Sequence, residues 1–444
     1  MTTIAQLGER LRTLFTTVAD DLGRRSGFVE RRSKLTGAGF AQTMVFGLLA
    51  NPDAALPELA QAAATAGVAI SPQGLDQRCT SVAAGFLESL LAAAVQTVVQ
   101  AETVAVPLLA RFSTVELLDS STITLPDALA DWWPGCGGSS PAHTSASLKI
   151  HVRCDLCHGS LTGPLLTDGR THESTTALQT GPLPAGALRV ADLGFFDLGV
   201  FAQMDANKSY FLSRLHQQTA LFDQTGQRRA LLELLGDGLV YDLAVSLGCQ
   251  QQLPVRLLAV RVPPEVANQR RRRIRAAARK HGRTPTDEVL ARADWTLLVT
   301  NAPATLLTVD EALALQRARW QIELLFKLWK EHGKIDESRS TKPWHVLCDV
   351  FAKLLAVLVQ HWVILTGCWQ CPNRSLVKAA QTVRARALEL LDMLTDSDLL
   401  VRVLTSIHRC LAAGCRINTR KQHPNTSQLI LTAGLLGIEL PSSR

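Results

Sequence analysis

The spacing of hydrophobic residues predicts helices at both ends of the chain and strands between them. In the first thirty residues, leucines and a valine recur at intervals of three and four, the spacing of one helix face. Three more helices are predicted between Thr36 and about Val99. The third begins at Ser71 and Pro72, because serine favours the N-cap and proline favours the first helical position.

A turn containing Gly67 separates the second and third of these helices. A short helix, a glycine turn and a helix that begins Ser-Pro-Gln resemble the helix-turn-helix of DNA-binding proteins. Small helical bundles share this pattern, so the N-terminal region is predicted to be helical with two interpretations open.

The pattern changes at Thr114 to the alternation that is typical of strands. Strands are predicted from Val115 onwards and at Ser147–Val152, Leu161–Leu166, Ala187–Ala191, Leu239–Leu247, Val255–Val262 and Trp295–Thr300. Between the last two, the alanines and arginines of Val266–Lys280 favour a helix that His281 and Gly282 end.

The stretch from Glu311 to Lys334 is predicted to be one amphipathic helix. Its apolar stripe is formed by Ile322, Leu325, Phe326 and Trp329. Its polar stripe is formed by Gln316, Arg319, Glu323, Lys327 and Lys330. Such a stripe is either a solvated face stabilised by pairs four residues apart or a functional row.

Further helices are predicted at Trp344–Thr366, Ser375–Leu394 and Ser397–Ala412, before an apolar tail, Leu429–Leu440. These apolar helices can either pair two protomers or pack within one chain. The most apolar stretch, Val350 to Leu365, is interrupted by polar residues and is interpreted as a buried helix rather than a membrane span.

Composition and charge narrow the function classes. The chain has 444 residues, 47% of them hydrophobic, which is enough for about three domains with substantial cores. No secretory signal is recognised, and a folded soluble protein is expected. The net charge is +7, yet the segment from Arg261 to Arg283 alone contains nine basic residues against Glu265. Such a block is typical of contact with a phosphate backbone, although it can also be a solubilising surface.

The ten cysteines are expected to be reduced thiols in a cytosolic setting. Cys154/Cys157 and Cys368/Cys371 have the spacing of zinc ligands, but more than two hundred residues separate the pairs. A structural zinc site is therefore less favoured than buried thiols.

Two carboxylates stand out in the strand region. Asp119 lies midway along a predicted strand, where burial without a partner is costly and a metal ion would be a partner. Asp192 follows directly after a predicted strand, a common place for functional carboxylates because the strand fixes the position while the loop is exposed.

The residues Arg319-Trp320, Ile322-Glu323 and Lys330 resemble the signature of DDE transposases of the insertion-sequence-4 family. That signature is tyrosine, two residues, arginine, three residues, glutamate, six residues and lysine. The spacing from Arg319 to Lys330 is intact, but Gln316 stands at the tyrosine position. The resemblance implies an α/β fold, namely a ribonuclease-H-like catalytic core interrupted by a β-rich insertion, with helical N-terminal and C-terminal domains.

Five segments follow from the resemblance and the pattern together. They are a DNA-binding N-terminal domain (1–105), the first part of the core (106–215), the insertion with its Arg-rich helix (216–302), the remainder of the core (303–343) and a C-terminal domain (344–444) that could mediate dimerisation. The interval between Asp192 and Glu323 leaves room for the insertion.

The resemblance also implies the site residues. Asp119, Asp192 and Glu323 correspond to the family's catalytic, metal-binding carboxylates, with Mg²⁺ as the cofactor and Mn²⁺ as a substitute. The expected DNA-binding residues are Gln316, Arg319, Lys327, Lys330, Trp295, Arg271, Arg272, Arg275 and Arg279. Trp295 resembles the tryptophan that stacks on a flipped base, while a core position on a strand is the equally weighted alternative.

The implied function is cut-and-paste transposition, in which an enzyme binds transposon ends, cleaves them and joins the 3′ ends to target DNA. The expected partners are the terminal inverted repeats, target DNA and a second copy of the chain in the synaptic complex, with no membrane. The expected location is the bacterial cytoplasm, at the nucleoid. A metal-dependent nuclease of the same fold and a catalytically inactive DNA-binding regulator are the alternatives.

Overall fold

A computed structural model describes residues 1–31, 34–136, 145–418 and 426–433. The chain divides into two compact units, and neither is continuous in sequence. Unit 1 contains Met1–Ala105, Asp119–His172 and Gln321–His423, and unit 2 contains Val106–Leu118, Glu173–Trp320 and Pro424–Arg444. Residues 419–425 and 434–444, which include most of the predicted apolar tail, lie outside the described residues.

Helices make up most of unit 1. They are α1 (Ile4–Thr13), α2 (Ala19–Arg25), α3 (Gly37–Ala50), α4 (Leu56–Thr65), α5 (Pro72–Arg78) and α6 (Ser81–Val95). Numbered in chain order after the helices of unit 2, they continue with α13 (Trp320–Lys327, whose first residue belongs to unit 2), α14 (Pro343–Cys368), α15 (Leu376–Arg384), α16 (Ala387–Asp392) and α17 (Ser397–Gly414). A π-helical turn, Leu14–Val18, joins α1 to α2.

The start of α5 confirms the sequence signal at Ser71. The Ser71 hydroxyl accepts a hydrogen bond from Gly74 N at 3.0 Å, and Pro72 occupies the first turn. The number of helices differs from the prediction, since the third predicted helix is divided between α5 and α6. The cause is a new helix start at Thr80, whose hydroxyl accepts from Ala83 N at 3.3 Å.

The N-terminal and C-terminal helices of unit 1 share one core. Helix α14 packs against α3, α6 and α17, and α17 also packs against α1. By length and composition α14 could cross a bilayer, as could the bent pair α5 and α6, but the apolar window of α14 is entirely buried in the protein. The interpretation of Val350–Leu365 as a buried helix is confirmed, and α14 packs within one chain.

The strands are β1 (Val115–Leu125), β2 (Ala146–Asp155), β3 (Leu161–Asp168), β4 (Leu188–Ala191), β5 (Tyr210–Arg214), β6 (Leu221–Phe222), β7 (Arg228–Arg229), β8 (Val240–Leu247), β9 (Leu253–Arg261) and β10 (Trp295–Thr300). In unit 1, β2 and β3 pair antiparallel. The first four residues of β1 belong to unit 2, and the remainder belongs to unit 1.

Unit 2 is built on a mixed sheet. The start of β1 pairs parallel with β4, and β4 pairs parallel with β5. Beyond β5 the order is β10, β9, β8, β6 and β7, all antiparallel to their neighbours. The strands of the predicted insertion therefore extend the sheet at β5 instead of forming a sheet of their own.

The helices of unit 2 are α7 (Ala177–Thr180), α8 (Leu198–Ala206), α9 (Leu231–Leu234), α10 (Pro264–Lys280), α11 (Asp287–Ala291), α12 (Val309–Ala318) and α18 (Thr426–Thr432). Its core gathers α8 and the apolar faces of β5, β8, β9 and β10. Phe201 and Phe211 stack there with ring centroids 4.1 Å apart. The protein is thus a mixed α/β fold.

Candidate functional site

Two of the predicted carboxylates follow paired strand residues. In the parallel pair of β1 and β4, Leu118 is the partner of Ala191. The next residue along the chain is Asp119 in one strand and Asp192 after the other. Both side chains are partly exposed, and Asp119 Oδ1 accepts a hydrogen bond from Ser120 N at 2.8 Å.

Glu323 lies on α13, in the stretch that the sequence predicts as one helix. We call Val309–His332 the signature segment; it comprises α12, Arg319, α13 and a π-helical turn at Leu328–His332. The prediction of an uninterrupted helix from Glu311 is wrong at Arg319, which separates α12 from α13 although its backbone angles stay helical. The predicted apolar stripe is confirmed, because all four of its residues are buried. Glu323 is partly exposed.

The lysines of the signature segment differ in their contacts. Lys330 Nζ donates to Thr122 O at 2.9 Å, three residues beyond Asp119 on β1, and lies 4.0 Å from Asp336 Oδ2. Lys327 is exposed and pairs with Glu331 at 3.6 Å. Within unit 1, Lys330 thus connects the segment that carries Glu323 to the strand that carries Asp119. The sequence does not predict this contact, since the two residues are 208 positions apart.

Gln316 on α12 and Arg319 at the end of this helix are less accessible than residues that contact DNA are expected to be. Arg319 is buried. Both amide atoms of Gln316 are inaccessible to solvent and have no hydrogen-bond partner in the part of the chain that the structure describes. A phosphate contact from Gln316 stays a prediction.

Carboxylate oxygens are the ligands that Mg²⁺ and Mn²⁺ prefer, so the chemistry of each of the three residues fits such an ion; that they hold one together stays a prediction. Among the described residues, no three His, Cys, Asp or Glu side chains form a group arranged to hold a metal ion. Asp119 and Glu323 belong to unit 1, and Asp192 belongs to unit 2.

The Arg-rich helix is confirmed as α10, and its arginines fall into two sets. Arg270 donates to Trp295 O at 2.8 Å, and burial lowers the pKa of its guanidinium. Arg271 pairs with Asp294 at 2.5 Å and donates to Asn268 Oδ1 at 3.0 Å. By contrast, Arg272, Arg275 and Arg279 are exposed. We call these last three the outer arginines; their spacing of three and four places them on one face.

Trp295, for which the sequence leaves a core position and base stacking open, is 6% exposed. Its ring meets Tyr241 edge-on with centroids 5.7 Å apart, and the Arg261 guanidinium lies 5.1 Å from the ring centre. This packing is the one that the core alternative predicts. Stacking on a base would require the indole to leave these contacts.

Residues next to the two cysteine pairs contact each other in unit 1 although the sequence separates the pairs. Trp369, next to Cys368, donates from Nε1 to the carbonyl of Leu156, which lies between Cys154 and Cys157, at 3.4 Å. Burial raises the pKa of the Cys368 thiol to about 11, which disfavours the thiolate that zinc would need. Buried thiols therefore describe Cys368 better than a metal ligand does.

Sequence reasoning missed a pair of charged residues in β1 and β4, ahead of the two aspartates. Glu116 and Arg189 are directly opposed in β1 and β4, and both are buried. Each stands three residues before a predicted aspartate. A charged residue at the same offset in two apolar strands is a signal that could have found them.

These features define a mixed α/β protein with one aspartate within β1, one directly after β4, a helical glutamate and an exposed arginine face, the combination that the resemblance leads us to expect. A family model described as the Transposase DDE domain matches residues 111–359. Because this match covers more than half of the chain, the protein belongs to the DDE transposase family.

Curated relatives agree with that assignment. The chain is 26% identical over 364 residues to the transposase for insertion sequence element IS231F of Bacillus thuringiensis subsp. israelensis, covering 77% of this chain and 76% of that protein. It is 24% identical to the transposase of IS231B from Bacillus thuringiensis subsp. berliner (79% and 78% covered) and 23% identical to that of IS1151 from Clostridium perfringens (78% and 77% covered). The resemblance is thus confirmed at the level of a DDE transposase, a class of enzymes that act on DNA and use divalent metal ions.

Proposed function

We propose that this chain is a cut-and-paste DNA transposase of the insertion-sequence-4 type, which binds the terminal inverted repeats of its element, cleaves them and joins the 3′ ends to target DNA. The observation that carries the proposal is the β1–β4 register, in which the residues after Leu118 and Ala191 are both aspartates. The matched region, residues 111–359, also includes Glu323 and Lys330. A ribonuclease-H-like core is part of the proposal.

Asp119, Asp192 and Glu323 are the proposed holders of two Mg²⁺ ions, with Mn²⁺ as a substitute. When bound, such ions activate the attacking water or 3′ hydroxyl and stabilise the leaving oxygen. The partial exposure of all three side chains supports this role, since a ligating carboxylate must reach both the ion and the solvent from which the ion comes.

Lys330 is the proposed phosphate contact nearest to the chemistry. Its ammonium has three donors, and Thr122 O takes one of them at 2.9 Å. The bond to a strand backbone orients the remaining donors, so that a phosphate near Asp119 can accept one. Arg319, Lys327 and Gln316 are proposed to act on the same DNA strand when the end is bound, which requires Arg319 and Gln316 to become accessible.

The outer arginines are proposed to contact the phosphate backbone without reading bases. Their exposure and common face support this role, because each can approach a phosphate without breaking a contact inside the protein. Arg271 would join them only by giving up its pair with Asp294. Trp295 is proposed to stack on a flipped base only in a DNA-bound state in which it leaves the core.

The proposed assembly is a homodimer that synapses two ends, acting in the bacterial cytoplasm on nucleoid DNA. Because the apolar window of α14 is buried within one chain, the pairing surface is proposed to lie on other, exposed parts of the C-terminal region.

A strand-transfer assay tests the proposal. Labelled end fragments and supercoiled target DNA are incubated with the full chain and Mg²⁺, with Glu323→Ala as the inactive control. Cleaved ends that become joined to the target are the expected result. Cleavage without joining would indicate a nuclease, and binding without cleavage would indicate a regulator, so either outcome contradicts the proposal.

A further inference from the structure

A buried polar network in unit 2 leads from β1 to the turn after Asp192. Its first link is the cross-strand pair of Glu116 and Arg189. Arg189 Nη2 lies 3.4 Å from Glu116 Oε2, and the arginine is only 2% exposed. A guanidinium buried this deeply must be satisfied by the protein, because water cannot reach it.

The network continues through Gln179 on α7. Arg189 Nη1 donates to Gln179 O at 2.7 Å, and Gln179 Nε2 donates to Phe195 O at 2.7 Å. Gln179 is 1% exposed. Phe195 ends the 3₁₀ turn Leu193–Phe195, and its N–H donates to Asp192 O at 3.0 Å. The side-chain bonds therefore hold the turn that starts at Asp192.

Burying an ion pair in a core costs desolvation free energy. Replacing a buried ion pair with apolar residues of similar volume is often neutral or stabilising, so packing alone does not explain the network. Its directional bonds do provide what packing lacks, since each fixes the orientation of the group that it reaches. The last group that they reach is the carbonyl of Phe195, a residue whose N–H is bonded to Asp192 O.

We propose that Arg189 and Gln179 are positioning residues for DNA cleavage, which fix the turn that presents the Asp192 carboxylate to a divalent cation. The inference rests on the proposed function of Asp192. It assigns the role to residues that touch neither DNA nor metal and that act through the backbone of residues 192–195.

The test measures metal affinity rather than turnover. Mn²⁺ alone is titrated into the full chain, and electron paramagnetic resonance of the unbound ion gives the dissociation constant. Gln179→Met removes the donor to Phe195 O at similar volume. We expect it to raise the Mn²⁺ dissociation constant about tenfold or more, the usual effect of removing a residue that orients a ligand.

Thr300→Val is the matched control. The Thr300 hydroxyl donates to Phe211 O at 2.6 Å, accepts from Ala302 N at 3.1 Å and is fully buried in the same unit, so the substitution removes buried bonds that do not involve the turn of residues 192–195. It should leave the Mn²⁺ affinity at the parental value. Equal weakening by both variants would overturn the inference, because general loosening of unit 2 would then be the cause.

Asp192→Asn separates this inference from the proposed function. If Asp192→Asn weakens Mn²⁺ binding and Gln179→Met does not, the positioning role is wrong and the proposed site stands. If Asp192→Asn binds Mn²⁺ like the parent, both are wrong. Should Gln179→Met fail to fold, Gln179→Glu keeps the shape and replaces the amide donor with a carboxylate, and the same shift in Mn²⁺ affinity is expected.

Discussion

Helix α10 and the signature segment both carry basic residues next to buried residues, but these basic residues make different contacts in the two regions. In α10, Arg270 donates to Trp295 O on β10 and Arg271 pairs with Asp294, while the outer arginines are exposed. In the signature segment, Lys330 is fastened to Thr122 O on β1 and Lys327 pairs only with Glu331. The comparison teaches that the contacts of each basic residue, rather than the number of charges, decide which role can be proposed for it.

The largest expected effect comes from the carboxylate of the signature segment. Glu323→Ala should lower the cleavage rate by about a thousandfold or more, because metal ions supply several kcal/mol of transition-state stabilisation. Binding to end DNA should change little, and gel-shift and cleavage assays measure the two separately. Glu331→Ala, an exposed carboxylate of the same segment, is the control and should cleave like the parent. Substantial cleavage by Glu323→Ala would remove this residue from the site.

Substitution of Trp295 tests the buried packing of β10, the strand to which Arg270 of α10 is bonded. Trp295→Ala should lower the free energy of unfolding by about 3–5 kcal/mol, since the indole fills a core between Tyr241 and Arg261. Chemical denaturation measures the loss, and Trp295→Phe should recover part of it. Trp320→Ala removes an indole that is 53% exposed and should stay within about 0.5 kcal/mol of the parent. Parental stability of Trp295→Ala, with slowing of only the steps after the first nick, would instead support base stacking.

Substitution of Lys330 tests the lysine of the signature segment that is hydrogen-bonded to β1. Lys330→Met should lower the cleavage rate by about 10- to 100-fold, because a hydrogen bond to a charged group contributes about 1.5–3 kcal/mol. Lys327→Met should have a smaller effect, since Lys327 has no bond to β1 among the described residues. The control is Lys378→Met, which removes a similar bond from Lys378 Nζ to Arg416 O, 3.1 Å long, and should cleave normally. Equal rates for Lys330→Met and the parent would contradict the phosphate contact.

The outer arginines give the smallest and most graded effect. Neutralising Arg272, Arg275 and Arg279 to glutamine should flatten the dependence of log K on log salt by up to about 0.9 for each lost duplex phosphate contact. Fluorescence anisotropy over a salt series measures the slope. Arg270→Gln should leave the slope unchanged and lower the stability, because its guanidinium is bonded to β10. An unchanged slope in the triple variant would make the outer face a solubilising surface.

The sequence by itself determined those features that depend on neighbours along the chain. It predicted β10 at its observed bounds, the start of α5 at Ser71, the end of α10 before Gly282 and the buried stripe of the signature segment. Each follows from local periodicity or from the preference of one residue for a cap or turn. The DDE signature needs only spacing; the family match confirms a DDE transposase, and the signature residues stay a prediction.

Only the tertiary structure decided which partner each face meets. Periodicity shows that one side of an element is apolar, but it does not select the partner, because pairing and packing join residues that are far apart in sequence. Hence the insertion strands extend the sheet at β5, α14 shares a core with α3 and α6, and the indole of Trp295 is enclosed. The same reason applies to the bond from Lys330 to Thr122 O and to the network that ends at Phe195 O. Each joins residues that are too far apart in sequence for a local pattern to predict.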